Sequence, residues 1–177
     1  MSRTYIAFLR GINVGGKNKL PMKELVAIFV DAKCNNVRTY IQSGNVIFTA
    51  APPVAETLAQ RISAQIAKQR GYRIPIVLRT IEELEKIVEN NPFIAKGVNE
   101  EKLHILFLAN LPDPSAVQQL DPNRSLPDAF ILQEREIYLH LPNGVANSKL
   151  TNNYFDSVLK TISTGRNWRT LVKLLQL

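Results

Sequence analysis

The sequence has almost none of the side chains that bind transition metals. Its 177 residues include one cysteine, Cys34, and two histidines, His104 and His140, which lie far apart. A single cysteine excludes an internal disulfide framework and any multi-cysteine zinc or iron–sulfur site, because each of these needs several sulfur atoms. We therefore predict no metal site and no cofactor, and we expect the protein to occupy a reducing compartment.

Long apolar runs are also missing. No stretch approaches the roughly 20 apolar residues that span a bilayer. The first residues, Met1 to Thr4, lack the long apolar segment of a secretion signal. From these two absences we expect a cytoplasmic protein that has no membrane partner.

Acidic residues are scarce at both ends of the chain. The formal net charge is +7, of which residues 1–50 contribute +5 and residues 141–177 contribute +4, whereas the middle contributes −2. This excess of cations favours an acidic partner. The two basic ends contain only three carboxylates, Glu24, Asp31 and Asp156, so a catalytic pair of carboxylates is not predicted there.

The hydrophobic pattern of residues 1–80 predicts a ferredoxin-like α+β half. Apolar runs rich in β-forming residues alternate with stretches whose apolar residues recur at helical spacing. The predicted elements lie at residues 4–9, 22–32, 37–41, 46–49, 54–71 and 74–79. Their βαββαβ order is that of the split-βαβ, ferredoxin-like unit.

The rest of the chain predicts a connection and a second half. Residues 81–100 form a connecting helix and loop, which begins with the capping-box pattern of Thr80 and Glu83. Residues 101–177 form a second, smaller antiparallel α+β half that contains a strand, a hairpin and C-terminal helices. We expect this half to pack on the first.

Three of the eight glycines, Gly11, Gly15 and Gly16, lie within six positions. With Lys17 and Asn18 they match the phosphate-binding pattern G-x-x-x-x-G-K-[ST] except at its last position. Asparagine lacks the hydroxyl that binds Mg²⁺ in such loops, so a nucleotide-hydrolysing loop is not predicted. Two interpretations stay open, a purely structural turn and a cradle of backbone amides for an anion.

Three further polar segments contain candidate binding residues. Ser43 and Asn45 lie at the predicted hairpin turn, where no obvious base accompanies the serine. Lys149 precedes one predicted helix, and Arg166 with Asn167 precedes another, so helix amides and cations together would attract an anion. Alternatively, the polar residues of these segments only cap the helices while the cations are solvated.

Trp168 recurs at helical spacing with Leu171 and Leu175, which predicts a position in the core. If Arg166 is helical as well, its side chain points about 200° away from that of Trp168. We therefore expect Trp168 to stabilise the fold and Arg166 to bind an anion with little effect on stability.

Four ordered segments are similar to the hallmark motifs of one bacterial family. They are LRGINVGG at residues 9–16, TYIQSGNV at 39–46, SKLTN at 148–152 and RNWRT at 166–170. Through these motifs the chain resembles the bacterial domain of unknown function 1697 family over essentially its whole length. The resemblance implies a two-part α+β protein with a ferredoxin-like first half, and it implies no particular activity.

These observations predict a protein that binds a phosphate-bearing small molecule or nucleotide in a basic cleft between its two halves. Whether it is an enzyme is left open. The residues that we expect to bind the ligand are Arg10, Gly15, Gly16, Lys17, Ser43, Asn45, Lys149, Arg166 and Asn167.

Two alternatives stay open, a single-stranded nucleic-acid binding module and a structural or interaction protein without a ligand. The βαββαβ order also builds RNA-recognition modules, which stack bases on aromatic residues of their strands. Tyr5, Tyr40 and Phe48 would form such a platform only if their sheet face were open. We expect the second half to cover that face.

Overall fold

The computed structural model describes every residue from Met1 to Leu177. The chain divides into two compact units, Met1–Glu83 and Leu84–Leu177. Each unit contains one four-stranded antiparallel sheet with helices, so the architecture is α+β. No helix has both the length and the hydropathy that crossing a bilayer requires.

The first unit has the predicted βαββαβ order. Its sheet has the strand order β2-β3-β1-β4, and every neighbouring pair is antiparallel. The elements are β1 (Arg3–Leu9), α1 (Met22–Asp31), β2 (Asn35–Tyr40), β3 (Asn45–Ala50), α2 (Pro52–Arg70) and β4 (Ile76–Thr80).

Local signals set the ends of α2 and of the helix that follows β4. Two prolines occupy the first positions of α2, where their missing N–H groups cost nothing, and the helix ends at Gly71 with a φ of 78°. The next helix, α3 (Ile81–Glu89), begins with the predicted capping box. The Thr80 amide donates to Glu83 Oε2 at 2.7 Å, and the Glu83 amide donates to Thr80 Oγ1 at 3.2 Å.

The core of the first unit lies between one face of its sheet and the two helices α1 and α2. Tyr5 stacks on Phe48 with 5.6 Å between the ring centroids, and Phe29 of α1 packs on Phe48 at 5.3 Å. Tyr5 and Phe48 are buried, so they do not form an open stacking platform for bases. We expected the second half of the chain to cover this face of the sheet. That expectation was wrong, because α1 of the same unit packs on these rings.

The second unit repeats the topology of the first. Its sheet has the order β6-β7-β5-β8, again with antiparallel neighbours. The elements after α3 are β5 (Leu103–Leu108), α4 (Pro114–Val117), β6 (Ala129–Gln133), β7 (Glu136–His140), α5 (Asn152–Leu159), β8 (Ser163–Asn167) and α6 (Trp168–Leu174). The sequence pattern does not predict β8, which completes a second βαββαβ unit.

The position of Arg166 corrects the sequence-based argument about the C-terminal motif. Arg166 lies in β8, opposite Ile105 of β5, and α6 begins only at Trp168. The assumption that both residues are helical is therefore wrong. Because side chains alternate along a strand, Arg166 faces the side of the sheet opposite to Gly165 and Asn167.

Candidate functional site

The glycine loop is a tight two-residue turn. Gly15 and Gly16 have φ angles of 56° and 74°, and the amide of Lys17 donates to the Val14 carbonyl at 3.0 Å. A turn with positive φ at both central residues is of type I′, which glycine adopts without strain. The amide of Lys17 is thus used within the turn.

Two asparagines hold this loop in place. The Asn13 side-chain amide donates to the carbonyls of Leu20 at 2.9 Å and Gln42 at 3.0 Å, and its oxygen accepts from the Leu20 amide at 2.8 Å. The Asn18 side chain donates to the Gly11 carbonyl at 3.0 Å. Asn13 therefore joins the glycine loop to the turn between β2 and β3, so the first two hallmark segments lie side by side.

Ser43 and Asn45 contact each other in the turn between β2 and β3. The fully buried Asn45 donates through Nδ2 to Ser43 Oγ at 2.9 Å and to the Tyr40 carbonyl at 3.1 Å. Gly44 has a φ of 83°, and its carbonyl accepts a hydrogen bond from the amide of Leu9 at 2.8 Å. These contacts give both predicted residues a role in shaping the turn.

A pocket of about 560 Å³, the glycine-loop pocket, opens where this loop meets the start of α1. It is lined by Asn13, Gly16, Lys19, Leu20, Pro21, Met22, Lys23 and Gln42. Lys19 and Lys23 are exposed, and α1 begins there without a side-chain cap. The first acidic residue of the helix, Glu24, pairs with Arg70.

The predicted residues of the first unit enter this pocket only in part. Gly16 lines it, whereas five others do not, namely Arg10, Gly15, Lys17, Ser43 and Asn45. The sequence analysis did not select Asn13, Lys23 and Gln42. An asparagine within a glycine-rich loop was the available signal for Asn13, because asparagine tolerates the left-handed backbone that such turns require.

A second pocket, of about 290 Å³, lies within the second unit. This second-unit pocket is lined by His104, Ile105, Leu106, Leu139, Leu141, Val145, Leu150, Thr151, Asn152, Gly165, Arg166 and Asn167. Two of the predicted residues, Arg166 and Asn167, thus line one cavity. The three residues that directly follow Lys149, namely Leu150, Thr151 and Asn152, line it as well. The exposed Lys149 is not among the lining residues.

One polar residue of each C-terminal motif caps a helix, but Arg166 is partly buried and is not the solvated cation that the capping interpretation expects. Thr151 Oγ1 accepts the Tyr154 amide at 3.2 Å and caps α5, and Asn167 Oδ1 accepts the Thr170 amide at 2.8 Å and caps α6. Arg166 Nη1 donates to the Gly165 carbonyl at 2.6 Å. Burial lowers the pKa of Arg166 to about 10, so the guanidinium stays charged at neutral pH.

His104 is the titratable group of the second-unit pocket that changes charge nearest to neutral pH. Its Nδ1 is buried without a hydrogen-bond partner. Burial lowers the pKa of the imidazole, and a hydrogen bond with the backbone of Lys102 acts in the opposite direction. The ring is therefore neutral at pH 7, with one nitrogen able to donate and the other to accept.

The lowered pKa predicts a loss of stability in mild acid. The unfolded chain protonates His104 near pH 6.5, whereas the folded protein does so only at lower pH. We expect the free energy of unfolding, from urea titrations between pH 7 and about pH 5.5, to fall as the pH falls. His104→Gln should flatten this dependence, whereas the control His140→Gln should keep it. An unchanged slope in His104→Gln would contradict the assignment.

The structure contains no cluster of metal-ligating side chains, and its single cysteine is buried. No three side chains of the histidine, cysteine, aspartate and glutamate types lie close enough to hold a metal ion. Cys34 is buried, and burial raises the pKa of its thiol to about 11, although the charge of Arg61 lowers it. The thiol is therefore protonated at neutral pH and is not poised as a nucleophile.

Comparison with known proteins gives a family and a fold. The sequence model described as "Protein of unknown function (DUF1697)" matches residues 1–138. No curated protein matches the chain significantly. Among solved structures, the chain is similar to a conserved bacterial protein from Streptococcus pneumoniae, with 23% sequence identity and a TM-score of 0.71 over 99% of this chain and 98% of that chain. A likeness at this identity shows the fold alone.

Proposed function

We propose, on the premise that this chain belongs to the DUF1697 family of unknown function, that it binds a phosphate-bearing small molecule at the glycine-loop pocket. One observation carries the proposal: two exposed lysines, Lys19 and Lys23, line the same pocket as the start of α1. Helix N-termini offer amides and a positive dipole to phosphate, and lysine binds phosphate as a compact cation.

The surroundings of the two lysines favour the binding of an anion over the binding of a cation. The pocket is lined by no aspartate or glutamate. Glu24, in the first turn of α1, pairs with Arg70, which offsets its charge. The Tyr72 hydroxyl donates to the Lys19 carbonyl at 2.7 Å, which holds the backbone that carries this lysine. The cations are thus placed on ordered backbone, which lowers the entropic cost of binding.

The size of the pocket suits a nucleotide or another small metabolite. A volume of about 560 Å³ lies within the range of roughly 300 to 1,000 Å³ that is usual for small-molecule sites. A cytoplasmic location, which stays a prediction from the sequence, would expose the pocket to such metabolites. That Lys149, Arg166 and Asn167 bind the same ligand also stays a prediction.

Titration calorimetry with inorganic pyrophosphate tests the proposal. The double variant Lys19→Gln/Lys23→Gln should bind pyrophosphate at least tenfold more weakly than the unaltered protein, a loss of about 1.4 kcal/mol or more, because two charge-assisted contacts are lost. The matched control is Lys33→Gln/Lys68→Gln, which removes two exposed lysines of the same unit that lie outside the pocket. This control should bind as the unaltered protein does, and an equal loss in both variants would reject the site.

Salt dependence distinguishes a metabolite from a single-stranded nucleic acid. An oligonucleotide that neutralises several cations should lose affinity steeply with salt, by a slope of about 0.7 per phosphate on logarithmic axes. A compact phosphate ligand should give a shallow slope. An oligonucleotide that binds more tightly than pyrophosphate and with a steep slope would replace the present proposal by the nucleic-acid alternative.

A further inference from the structure

The second-unit pocket is lined mainly by apolar side chains. Its walls include three buried leucines, Leu139, Leu141 and Leu150. An apolar cavity of about 150 Å³ holds one benzene molecule. The volume of about 290 Å³ is nearly twice that, so the pocket has room for a benzene-sized ring with a short polar substituent.

No charged side chain faces this pocket. No aspartate, glutamate or lysine lines it. The side chain of Arg166 lies on the face of the sheet opposite to Gly165 and Asn167, because side chains alternate along β8. His104 is neutral at pH 7, because burial lowers its pKa. An ion would lose hydration here without gaining a counter-charge, so the pocket favours a neutral ligand.

The side chain of Asn152 presents a hydrogen-bond acceptor at the wall of the pocket. Its Nδ2 donates to Ser163 Oγ at 2.8 Å, and the Ser163 hydroxyl donates its one proton to Asp156 Oδ1 at 2.6 Å. Because the hydroxyl has no second proton to give, the Asn152 atom beside it is the nitrogen, which fixes the orientation of the amide. Asn152 Oδ1, on the other side, accepts no hydrogen bond within the protein and lies 3.7 Å from where a Cβ atom on Gly165 would be.

The side chain of Asn167 presents a donor to the same pocket. Its Oδ1 accepts the Thr170 amide at 2.8 Å, so the oxygen is oriented toward α6 and the side-chain N–H₂ points away from that contact. Asn167 is exposed and lines the pocket, so this N–H₂ group is accessible to a ligand. Gly165 and Asn167 face the same side of β8, because they are two residues apart. The acceptor of Asn152 and the donor of Asn167 therefore lie along one wall of the pocket.

Gly165 keeps this wall open between the two groups. Its φ lies outside the left-handed region, so backbone conformation does not require glycine. A Cβ atom at this position would lie 2.8 Å from Leu106 Cδ2, closer than side chains tolerate. Because glycine has no side chain, a flat group can approach the backbone of β8 closely at this point.

From these observations we propose that the second-unit pocket is a separate binding site for a small neutral amide with an aromatic or branched aliphatic body. A primary or cyclic amide has an N–H and a C=O on one edge, as an adjacent acceptor and donor require. The ligand's N–H donates to Asn152 Oδ1, its C=O accepts from Asn167 Nδ2, and its body packs against the leucines. This site is independent of the glycine-loop pocket and takes a ligand of different chemistry.

Nuclear magnetic resonance titration with benzamide tests the site. We expect the backbone amide signals of residues 150–152 and 165–167 to shift, and those of residues 11–23 to stay unchanged. Methyl benzoate keeps the ring and the carbonyl but has no N–H, so it should bind at least about threefold more weakly, because Asn152 Oδ1 then has no donor. Shifts confined to other residues, or no shifts at all, would overturn the location. Equal affinity for the two compounds would overturn the preference for an amide.

The variant Asn167→Asp removes the proposed donor and keeps the helix cap. Aspartate caps helices as well as asparagine does, so α6 should stay capped and the melting temperature should change little. Benzamide should bind at least about tenfold more weakly, because its carbonyl then faces a carboxylate oxygen instead of an N–H.

The matched control is Asn110→Asp, which makes the same change at an exposed asparagine of the second unit that lies outside the pocket. This control should bind benzamide as the unaltered protein does. Neither variant should change the binding of pyrophosphate, so this test is separate from that of the glycine-loop pocket. Unchanged benzamide affinity in Asn167→Asp, or an equal loss in both variants, would overturn the proposal.

Discussion

Replacing Trp168 by alanine is expected to lower the free energy of unfolding by about 3 to 5 kcal/mol. Trp168 is fully buried at the start of α6 and packs near Tyr138, with 6.5 Å between the ring centroids. Leu171 and Leu174 of the same helix are also buried, so the indole belongs to a continuous apolar stripe. Its removal leaves a large cavity in the second unit.

Urea unfolding followed by circular dichroism measures this loss, because the variant lacks the only tryptophan and its fluorescence. The matched control is Trp168→Phe, which keeps an aromatic ring and should cost less than half as much. The indole N–H has no hydrogen-bond partner, so the control sacrifices packing alone. A cost below about 1 kcal/mol for Trp168→Ala would contradict a core position, since cavity-forming losses of tryptophan are several times larger.

Gly44→Ala is expected to destabilise the protein by about 2 to 5 kcal/mol, for two reasons that add. The φ of 83° at this position strains any residue that has a Cβ atom, by about 1 to 2 kcal/mol. In addition, the new Cβ would lie 2.8 Å from Leu9 Cβ and 3.0 Å from Ile12 Cδ1, and such overpacking costs about 1 to 3 kcal/mol. Leu9 Cβ is attached directly to the backbone of β1, so it cannot rotate away.

The control for this prediction is Gly71→Ala, at the end of α2. Gly71 has a similar φ of 78°, but nothing lies within 4 Å of the position of its Cβ. The control therefore isolates the backbone strain, and we expect it to cost about 1 to 2 kcal/mol. Thermal and urea unfolding of the two variants under identical conditions give the difference. Equal losses would show that the contact with Leu9 does not restrict the turn.

Elements whose signals lie within their own segment were predictable. The apolar residues of α2 recur at helical spacing, prolines start it, and Gly71 ends it, so its bounds of Pro52–Arg70 lie close to the predicted ones. The capping box of Thr80 and Glu83 was likewise visible, because both partners lie within four consecutive residues. The βαββαβ order of the first unit follows from such segments taken in turn.

Strand β8 was not predictable, because its sequence STGRN has neither apolar alternation nor many β-forming residues. Pairing with β5 makes it a strand, and the Ser163 hydroxyl finds its partners on α5. The buried Ser163 hydroxyl donates to Asp156 at 2.6 Å and accepts from Asn152 at 2.8 Å. Tertiary context here overrides local preference.

The candidate sites also combine features that the sequence predicts with features that only the tertiary structure creates. The sequence alone determined that residues 11–18 contain a glycine turn with cations nearby, because positive φ angles and charge are local properties. Only the tertiary structure placed the Asn13 side chain on Gln42, 29 residues away, and Gly165 beside Asn152. Turn geometry and helical periodicity act within one segment, whereas a pocket depends on which distant segments pair and on which face each side chain then lies.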